Sequence, residues 1–404
     1  MDQKSLISEA NKYFMPTYSQ FPVVFTKGDG IYLEDIEGKK YLDFVAGISV
    51  NIFGYNDQNF KNTLNEVIAK GVLHTSNLYY NQYAIEAAKK LVELSKMDKV
   101  FFCNSGTEAN EAAIKLVRKY GRLKKEGKTK IVSLVNSFHG RTIGALSATG
   151  QPNYQKNFAP MVDQFKYAPI NNYEELVKMV DEDTCAIFIE VVQGEGGIVS
   201  ADKEYLQKVR TLCDKYDILL VCDEIQCGLG RTGKLFGWQK REIECDVMTL
   251  AKALGNGIPI GAVVTNNKCS EVLQPGDHGS TFGGNFLATS AANYVLNRLS
   301  EPQFMENVED VSTYLNKKLI ELKDKHSQIK ELRGEGLMVG LAFEDKVKPI
   351  IDEALKDGLL VVSAGANVIR LLPPLIVTKK DIDKAFIILD EVLNRVNLLS
   401  NDGQ

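Results

Sequence analysis

Two ionisable residues stand where apolar segments of the chain end. Asp223 follows the run 217–222, and Lys252 follows the run 246–250 after one alanine. Burial disfavours the charged form of an amine, so such a lysine has a pKa below its ordinary ~10.4 and becomes a usable nucleophile or base. A buried carboxylate needs a cation or hydrogen-bond donors. The plain alternatives are a lysine that reaches solvent and an acid that caps a helix.

A third segment has the composition of an anion site. Residues 104–108 follow the apolar run 100–103 and open a helical pattern. Ser105, Gly106 and Thr107 are small or hydroxyl residues, and the free N–H groups of a helix N-terminus suit a phosphate. A simple N-cap explains the same residues equally well.

A fourth segment could hold a planar ring. Phe138, His139 and Arg141 lie together just after the apolar run 131–135. An aromatic side chain can stack on a ring, and an arginine can bind an anion. A loop with a core phenylalanine and a surface arginine is the alternative.

The surrounding pattern predicts how these segments are positioned. Short apolar runs alternate with helical patterns, which favours an α/β fold with a mostly parallel sheet covered on both faces. The runs are 100–103, 131–135, 186–192, 218–222 and 247–250. Ligands bind beyond the carboxyl ends of such strands, so the four segments are expected at one edge of one sheet.

The two ends of the chain have a different texture. Residues 21–45 predict short strands with turns, and the region from Glu301 predicts a long helix, short strands and a closing amphipathic helix from Lys379. We therefore expect a large domain over 51–303 and a small α+β domain over 304–404. The N-terminal segment 1–50 is expected to join the small domain.

Composition excludes several functions. The 404 residues include 48 Lys+Arg and 52 Asp+Glu, a net charge of −4. That balance excludes an electrostatic nucleic-acid binder or a polybasic membrane-surface protein. No apolar run approaches the ~20 residues of a membrane span, and the first residues lack a secretory pattern, so a cytoplasmic protein is expected. Seven cysteines without a C-x-x-C pair, and four histidines, predict neither a disulfide framework nor a metal site.

Together the four segments match the needs of pyridoxal 5′-phosphate. Lys252 would meet its aldehyde, the helix end at Gly106 its phosphate, and Phe138 its ring. Asp223 would keep the ring nitrogen protonated, so that the ring can take up electrons from a substrate carbanion.

A competing motif indicates a different enzyme class. The segment 228–233 matches G-x-G-x-x-G, and Asp246 follows 18 residues after Gly228, which suggests an NAD-dependent oxidoreductase. Against this, five residues separate the strand from Gly228, the stretch 236–238 breaks the expected helix, and Asp246 begins an apolar run. The overlapping G-x-x-x-x-G-K lacks the Ser or Thr of a nucleotide-triphosphate loop. A catalytically silent binding protein has no positive support.

With Asp223 and Lys252 in place, the chain resembles the class III (fold type I) pyridoxal-phosphate aminotransferases from about Pro22 onward. It is most similar to the subgroup that acts on N2-acetyl-L-ornithine. The resemblance rests on seven ordered blocks, NSGTEAN (104–110), SFHGRT (137–142), QGEGG (193–197), DEIQCG (223–228), AKALG (251–255), HGSTFGGN (278–285) and RLLPPL (370–375). It implies a large domain with a seven-stranded, mostly parallel sheet.

The resemblance also implies roles for individual residues around the cofactor. Lys252 would form the Schiff base and move the proton, Asp223 would pair with the ring nitrogen, and Gln226 would sit near the ring hydroxyl. Thr281 would reach the phosphate of the neighbouring subunit, which implies a homodimer with shared sites. The other expected cofactor contacts are Ser105, Gly106, Thr107, Phe138, His139 and Ile225.

The implied substrate contacts are mainly charged. Arg370 resembles the arginine that binds the α-carboxylate of glutamate, and Glu195 the acid that masks it when an ω-amine substrate is bound. Arg141 resembles the second carboxylate anchor, with Ser280 nearby. Arginine suits both places because its planar fork matches a carboxylate. Without the family context, a structural ion pair would explain Arg370.

The implied reaction moves the δ-amino group of N2-acetyl-L-ornithine to 2-oxoglutarate, giving N-acetyl-L-glutamate 5-semialdehyde and L-glutamate, a step of arginine biosynthesis. The alternatives within the class are N-succinyl-L,L-diaminopimelate, succinylornithine, ornithine and 4-aminobutyrate. The pocket near Phe14, Val50, Asn51 and Ile52 is expected to discriminate among them.

Overall fold

The computed structural model of the protein describes residues 2–401, with side chains to residue 396. The strands are β1 Phe25–Asp29, β2 Tyr32–Asp35, β3 Lys40–Asp43, β4 Lys99–Cys103, β5 Lys130–Leu134, β6 Phe165–Ala168, β7 Thr184–Glu190, β8 Val192–Gln193, β9 Val199–Ser200, β10 Leu219–Asp223, β11 Val247–Leu250, β12 Gly261–Thr265, β13 Glu331–Glu335, β14 Met338–Ala342, β15 Leu359–Leu360, β16 Val362–Ser363 and β17 Val368–Leu371. The α-helices are α1 Gln3–Tyr13, α2 Gln58–Ala69, α3 Gln82–Ser95, α4 Gly106–Lys124, α5 Ile143–Ala148, α6 Pro152–Gln155, α7 Tyr173–Met179, α8 Lys203–Tyr216, α9 Phe286–Leu299, α10 Pro302–Lys325, α11 Lys348–Lys356 and α12 Lys379–Asn401.

A seven-stranded sheet forms the centre of the molecule, in the order β4-β12-β11-β10-β7-β5-β6. Its strands are parallel except β12, which runs antiparallel to both neighbours. The prediction of a mostly parallel seven-stranded sheet is confirmed. Strands β7, β10 and β11 are buried along their whole length, which explains their unbroken apolar sequences.

Helix α4 covers this sheet and begins at its carboxyl edge. Its buried face includes Ala109, Ala112, Ala113, Leu116 and Val117, the stripe expected from the sequence. The side chain of Ser105 caps the helix by accepting a hydrogen bond from the N–H of Glu108 at 3.3 Å. The cap fixes the start of the helix beside the end of β4.

Two smaller sheets join the ends of the chain to each other. One has the order β1-β2-β3-β15, in which Leu42 of β3 pairs in parallel with Leu359 of β15. The other has the order β13-β14-β17-β16. The N-terminal strands thus pair with the C-terminal region, while the domain boundaries at residues 50 and 303 stay a prediction.

Residues Ala46–Ser49 form a left-handed turn directly after β3. The φ angles of Ala46, Gly47, Ile48 and Ser49 are 51°, 63°, 64° and 65°. Three of these residues carry a β-carbon, so the turn is strained and persists only because its surroundings hold it.

None of the described helices is both long enough and apolar enough to cross a membrane.

Candidate active site

A cavity of about 440 Å³ opens at the carboxyl edge of the seven-stranded sheet. It lies where the ends of β4, β7, β10 and β11 meet, as expected for an open α/β sheet. The predicted site residues that line it are Ser105, Gly106, Thr107, Phe138, His139, Arg141, Asp223, Ile225, Gln226 and Lys252.

Asp223 ends β10 and lies buried at the floor of this cavity. Its Oδ2 atom accepts hydrogen bonds from Nδ2 of Asn110 at 2.8 Å and lies 2.8 Å from Nδ1 of His139. Its Oδ1 accepts the N–H of Ile225 at 3.0 Å. His139 packs edge-on against Phe188, with the ring centroids 4.6 Å apart. The carboxylate is therefore fixed in place while keeping room for a further donor.

Lys252 begins a short 3₁₀ helix that follows β11, with a φ angle of 44°. Burial lowers the pKa of Lys252 to about 8, although the nearby Glu195 carboxylate opposes the shift. Its ammonium has no hydrogen bond or ion pair to any of the described side chains. A fraction of the amine is therefore neutral near pH 7 and free to react, more than for an ordinary lysine.

The start of α4 supplies an anion cradle. The N–H groups of Gly106 and Thr107 donate to no protein acceptor in the described part of the chain. A β-carbon at Gly106 would lie 2.9 Å from Cδ1 of Ile225, so a larger residue there would displace the Ile225 side chain. The hydroxyl of Thr107 lies 2.9 Å from that of Thr142, which in turn donates to Glu111 at 2.5 Å.

Phe138 and Arg141 occupy the mouth of the cavity. The guanidinium of Arg141 lies 3.9 Å from the ring centroid of Tyr154 and 5.5 Å from that of Phe138. Arg141 is exposed, and no carboxylate pairs with it among the side chains that the structure describes. It is thus free to receive an anionic group at the entrance.

Arg370 and Glu195 form an ion pair beside Gln226, in which the arginine is buried and the acid is partly exposed. Nη1 of Arg370 donates to Oε1 of Glu195 at 2.5 Å, to Oε1 of Gln226 at 3.0 Å and to the carbonyl of Gly194 at 3.0 Å. Burial alone would raise the pKa of Glu195, but the charge and hydrogen bond of Arg370 lower it below its ordinary value. Gln226 lines the cavity, so the pair borders the site.

Ser280 and Thr281 lie apart from this cavity. The Ser280 hydroxyl accepts a hydrogen bond from Nδ2 of Asn104, a residue of the cavity rim, at 3.0 Å. Thr281 is exposed and lies in a separate surface hollow with His74, Asn77 and Leu78. Its side chain is not brought to the site of its own chain.

Two buried polar residues of the cavity were missed by the sequence analysis. Glu190 ends β7, and its carboxylate accepts the N–H groups of Phe138 at 2.9 Å and Gly194 at 3.3 Å. Burial raises the pKa of Glu190, and the facing Asp223 raises it further. Asn110 interrupts an alanine-rich helix face. The prediction of one apolar run over 186–192 passed through Glu190, although an acid at the end of a buried strand was the signal used for Asp223.

The G-x-G-x-x-G segment 228–233 lies outside the cavity lining. It is followed by the short 3₁₀ helix Gly237–Arg241 and packs against the β13–β14 turn, since a β-carbon at Gly336 would lie 2.5 Å from the backbone of Thr232. No helix N-terminus is therefore available at this loop for a pyrophosphate.

The cavity residues fit pyridoxal 5′-phosphate. A reactive, partly buried amine at Lys252, a hydrogen-bonded buried carboxylate at Asp223 and free N–H groups at Gly106 match an aldehyde, a ring nitrogen and a phosphate. The phenyl ring of Phe138 stands beside them. This donor set and its fold define a fold type I enzyme that depends on this cofactor.

Comparisons with known proteins extend this result. Residues 13–393 match the family described as Aminotransferase class-III. The acetylornithine aminotransferase of Caldanaerobacter subterraneus subsp. tengcongensis is 49% identical over 97% of this chain and 100% of its own length. The crystal structure of N-acetylornithine aminotransferase from Stenotrophomonas maltophilia K279a is 34% identical with a TM-score of 0.83, and covers 97% of this chain and 100% of its own. The crystal structure of the ornithine aminotransferase from Toxoplasma gondii ME49 is 30% identical in sequence, with a TM-score of 0.94. The match covers 98% of this chain and 96% of the Toxoplasma chain.

The chain belongs to the class-III aminotransferase family. It is accordingly a pyridoxal-phosphate-dependent aminotransferase, and the nicotinamide alternative is excluded.

Proposed function

We propose that this aminotransferase transfers the δ-amino group of N2-acetyl-L-ornithine to 2-oxoglutarate. The products are N-acetyl-L-glutamate 5-semialdehyde and L-glutamate, and the reaction belongs to arginine biosynthesis. The names of relatives that are 42–49% identical over nearly the whole chain support this substrate. The resemblance in backbone alone supports acetylated and free ornithine equally, because solved structures named for both superpose well.

The observation that carries the proposal is that two arginines of the site differ in burial and in ion pairing. Arg370 is buried and neutralised by Glu195, whereas Arg141 is exposed and unpaired with any described carboxylate. An ω-amine substrate carries its α-carboxylate far from the reacting nitrogen. That carboxylate therefore binds Arg141 at the mouth, while the masked Arg370 leaves the inner part of the cavity without a competing cation.

Glutamate requires the opposite arrangement. Its α-carboxylate is adjacent to the reacting carbon, so it must bind near Lys252 and needs an inner cation. Displacement of Glu195 would free Arg370 for this carboxylate, and the side-chain carboxylate would then bind Arg141. The two halves of the reaction thus use one cavity with a mobile acid.

When bound, pyridoxal 5′-phosphate supplies an aldehyde and a ring that takes up electrons. The amine of Lys252 would hold that aldehyde and, when free, would accept and release a proton at its Nζ. A pKa of about 8 suits both tasks, because neutral and protonated amine are both populated at cellular pH.

The remaining polar residues hold the ring. The Asp223 carboxylate, oriented by Asn110 and His139, would keep a proton on the ring nitrogen. Phe138 would lie against the ring, and Glu190 holds the Phe138 backbone in place. The N–H groups at the start of α4 would bind the phosphate.

We also propose a cytoplasmic homodimer in which Thr281 contributes to the phosphate site of the neighbouring subunit. Leu78 lines the hollow that holds Thr281, and Tyr80 and Phe282 lie close by in sequence; these apolar side chains are 87%, 96% and 60% exposed. Such a patch is typical of a protein interface.

A panel of amine donors tests the substrate. We expect the highest kcat/KM for N2-acetyl-L-ornithine, compared with N-succinyl-L,L-diaminopimelate, succinylornithine, ornithine and 4-aminobutyrate, with 2-oxoglutarate as acceptor. Borohydride reduction of the loaded enzyme should attach the cofactor to Lys252, as peptide mass spectrometry would show. A higher kcat/KM for free ornithine would overturn the substrate assignment while leaving the cofactor assignment intact.

A further inference from the structure

The segment 228–233, which has no part in the cavity lining, contains a buried arginine that links distant parts of the chain. Arg231 is fully buried. Its Nε donates to the hydroxyl of Ser49 at 2.9 Å, and its Nη1 donates to the carbonyls of Leu337 at 3.1 Å and Pro373 at 2.5 Å. One guanidinium therefore joins the turn after β3, the β13–β14 turn and the segment after β17.

This arginine is costly to bury. No carboxylate lies within ion-pair distance of it among the described side chains, and its Nη2 atom has no hydrogen-bond partner. Burial lowers the pKa of Arg231 to about 9, although the Asp43 carboxylate opposes the shift. An unpaired buried charge is expensive, so we look for a role of this arginine in the hydrogen bonds that it donates.

The hydroxyl of Ser49 carries the link toward the site. It donates to the backbone carbonyl of Gln226 at 3.0 Å while accepting from Arg231. Ser49 is the last residue of the strained left-handed turn. The hydrogen bonds of this hydroxyl thus hold an unfavourable backbone conformation against Gln226.

Gln226 is in contact with both members of the Glu195–Arg370 ion pair. Its Nε2 donates to Glu195 at 3.3 Å and its Oε1 accepts from Arg370 at 3.0 Å. Pro373, on the other side of Arg231, follows Arg370 by three residues. Arg231 therefore fixes the position of Gln226 and of the strand that carries Arg370 relative to each other.

We propose that Ser49 and Arg231 are positioning residues that hold Gln226 so that the Glu195–Arg370 pair stays closed for the ω-amine substrate. The inference rests on the proposed function. Loosening this link weakens the closed pair and exposes Arg370, which penalises the acetylornithine half-reaction. Glutamate, which needs the pair open, is penalised less or gains.

The Ser49→Ala variant tests this with a minimal change. It removes the hydroxyl between Arg231 and Gln226, and alanine tolerates the turn as well as serine does. We expect kcat/KM for acetylornithine to fall about fivefold relative to that for glutamate, the effect of one hydrogen bond. Each half-reaction is followed separately by the cofactor absorbance in single turnovers.

Ser290→Ala is the matched control. Ser290 is also buried, and its hydroxyl has no hydrogen-bond partner, so the same chemical change should leave the ratio of the two half-reactions unaltered. Arg231→Lys is the second variant, which keeps the charge but loses the Nε donor to Ser49. It should shift the ratio in the same direction as Ser49→Ala, with an unchanged cofactor spectrum.

The outcomes separate this inference from the proposed function. If the wild-type enzyme does not transaminate acetylornithine, the proposed function fails. The link is then judged by the same ratio, measured with the ω-amine donor of the panel that the enzyme does accept. If the wild type is active and Ser49→Ala lowers both half-reactions equally, or changes only the thermal unfolding temperature, the link is merely structural and the inference is overturned.

Discussion

Oε1 of Glu195 lies 2.5 Å from Nη1 of Arg370, on the border of the cavity that Lys252 lines. The side chain of Arg370 is 2% exposed and that of Glu195 is 24% exposed, so the acid is the partner with a path to solvent. We therefore expect Glu195 to move when the pair opens, while Arg370 stays in place.

Glu195→Gln should shift the balance between the half-reactions. The neutral amide leaves the positive charge of Arg370 without a partner. The α-carboxylate of glutamate can then bind Arg370 directly, whereas the carboxylate of acetylornithine can also bind there, in an unproductive position. We expect the ratio of kcat/KM for acetylornithine to that for glutamate to fall on the order of tenfold, which corresponds to about 1.4 kcal/mol. Single-turnover absorbance measurements with each donor give this ratio.

Asp246→Asn serves as the control for losing a charge from a buried ion pair. Asp246 pairs with Arg210 at 2.8 Å just before β11, whose other end leads to Lys252. This variant should lower the free energy of unfolding without altering the ratio. An equal loss on both half-reactions in Glu195→Gln would contradict the role of a substrate-dependent mask.

The reactivity of Lys252 in the cofactor-free protein should rise with pH. Burial lowers the pKa of Lys252 to about 8, so the neutral amine is a minority at pH 7 and predominates above pH 9. The association rate of pyridoxal 5′-phosphate, followed by absorbance, should increase through pH 8 and then level off. Because the Glu195 carboxylate raises this pKa, Glu195→Gln should move the midpoint to lower pH.

4′-Deoxypyridoxine 5′-phosphate separates amine chemistry from simple binding, since it lacks the aldehyde. The association rate of this analogue should show no increase through pH 8. If its rate rises with the same midpoint, the group that titrates near pH 8 is not the amine of Lys252.

The sequence predicted those features that depend on local pattern. Strands that are buried on both faces, such as β10, have unbroken apolar sequences, and the sequence predicted them. Two strands were not predicted: the edge strand β6, which is half-exposed, and β12, which follows a glycine-rich loop. Residue types at strand ends indicated Asp223 and Lys252. The contact of Arg231 with Ser49 spans 182 residues, and no local pattern predicts such a contact.

Glu224 should make stability depend on pH. It is buried beside Asp223 in sequence and accepts the N–H groups of Gly237 at 2.8 Å and Trp238 at 3.0 Å. Burial nevertheless raises its pKa from 4.5 to about 7. The folded state then binds more protons than the unfolded state between these values, so this contribution is complete below pH 4.5 and is lost as pH rises through 7.

The matched comparison is Glu224→Gln, which cannot titrate. A pKa rise from 4.5 to about 7 corresponds to roughly 3 kcal/mol. The stability advantage of the wild type over the variant should therefore shrink by about 2 kcal/mol between pH 5 and pH 7.5, the larger part of this total, in urea unfolding of the cofactor-free protein. A gap that is constant with pH would show that the carboxyl is ionised throughout.

Thr281 offers a test of the shared site, because its side chain is exposed and apart from the cavity of its own chain. Thr281→Ala should weaken cofactor binding about tenfold, the effect of losing a hydroxyl donor to a charged phosphate. A hybrid dimer of one Thr281→Ala subunit and one Lys252→Ala subunit then distinguishes the two arrangements. If Thr281 acts across the interface, the hybrid dimer has one site that contains both Lys252 and Thr281. That site keeps the wild-type affinity for cofactor, so the dimer retains half of the wild-type activity when cofactor is limiting. If Thr281 acts within its own subunit, the only site with Lys252 lacks the hydroxyl, and the hybrid binds cofactor as weakly as Thr281→Ala itself.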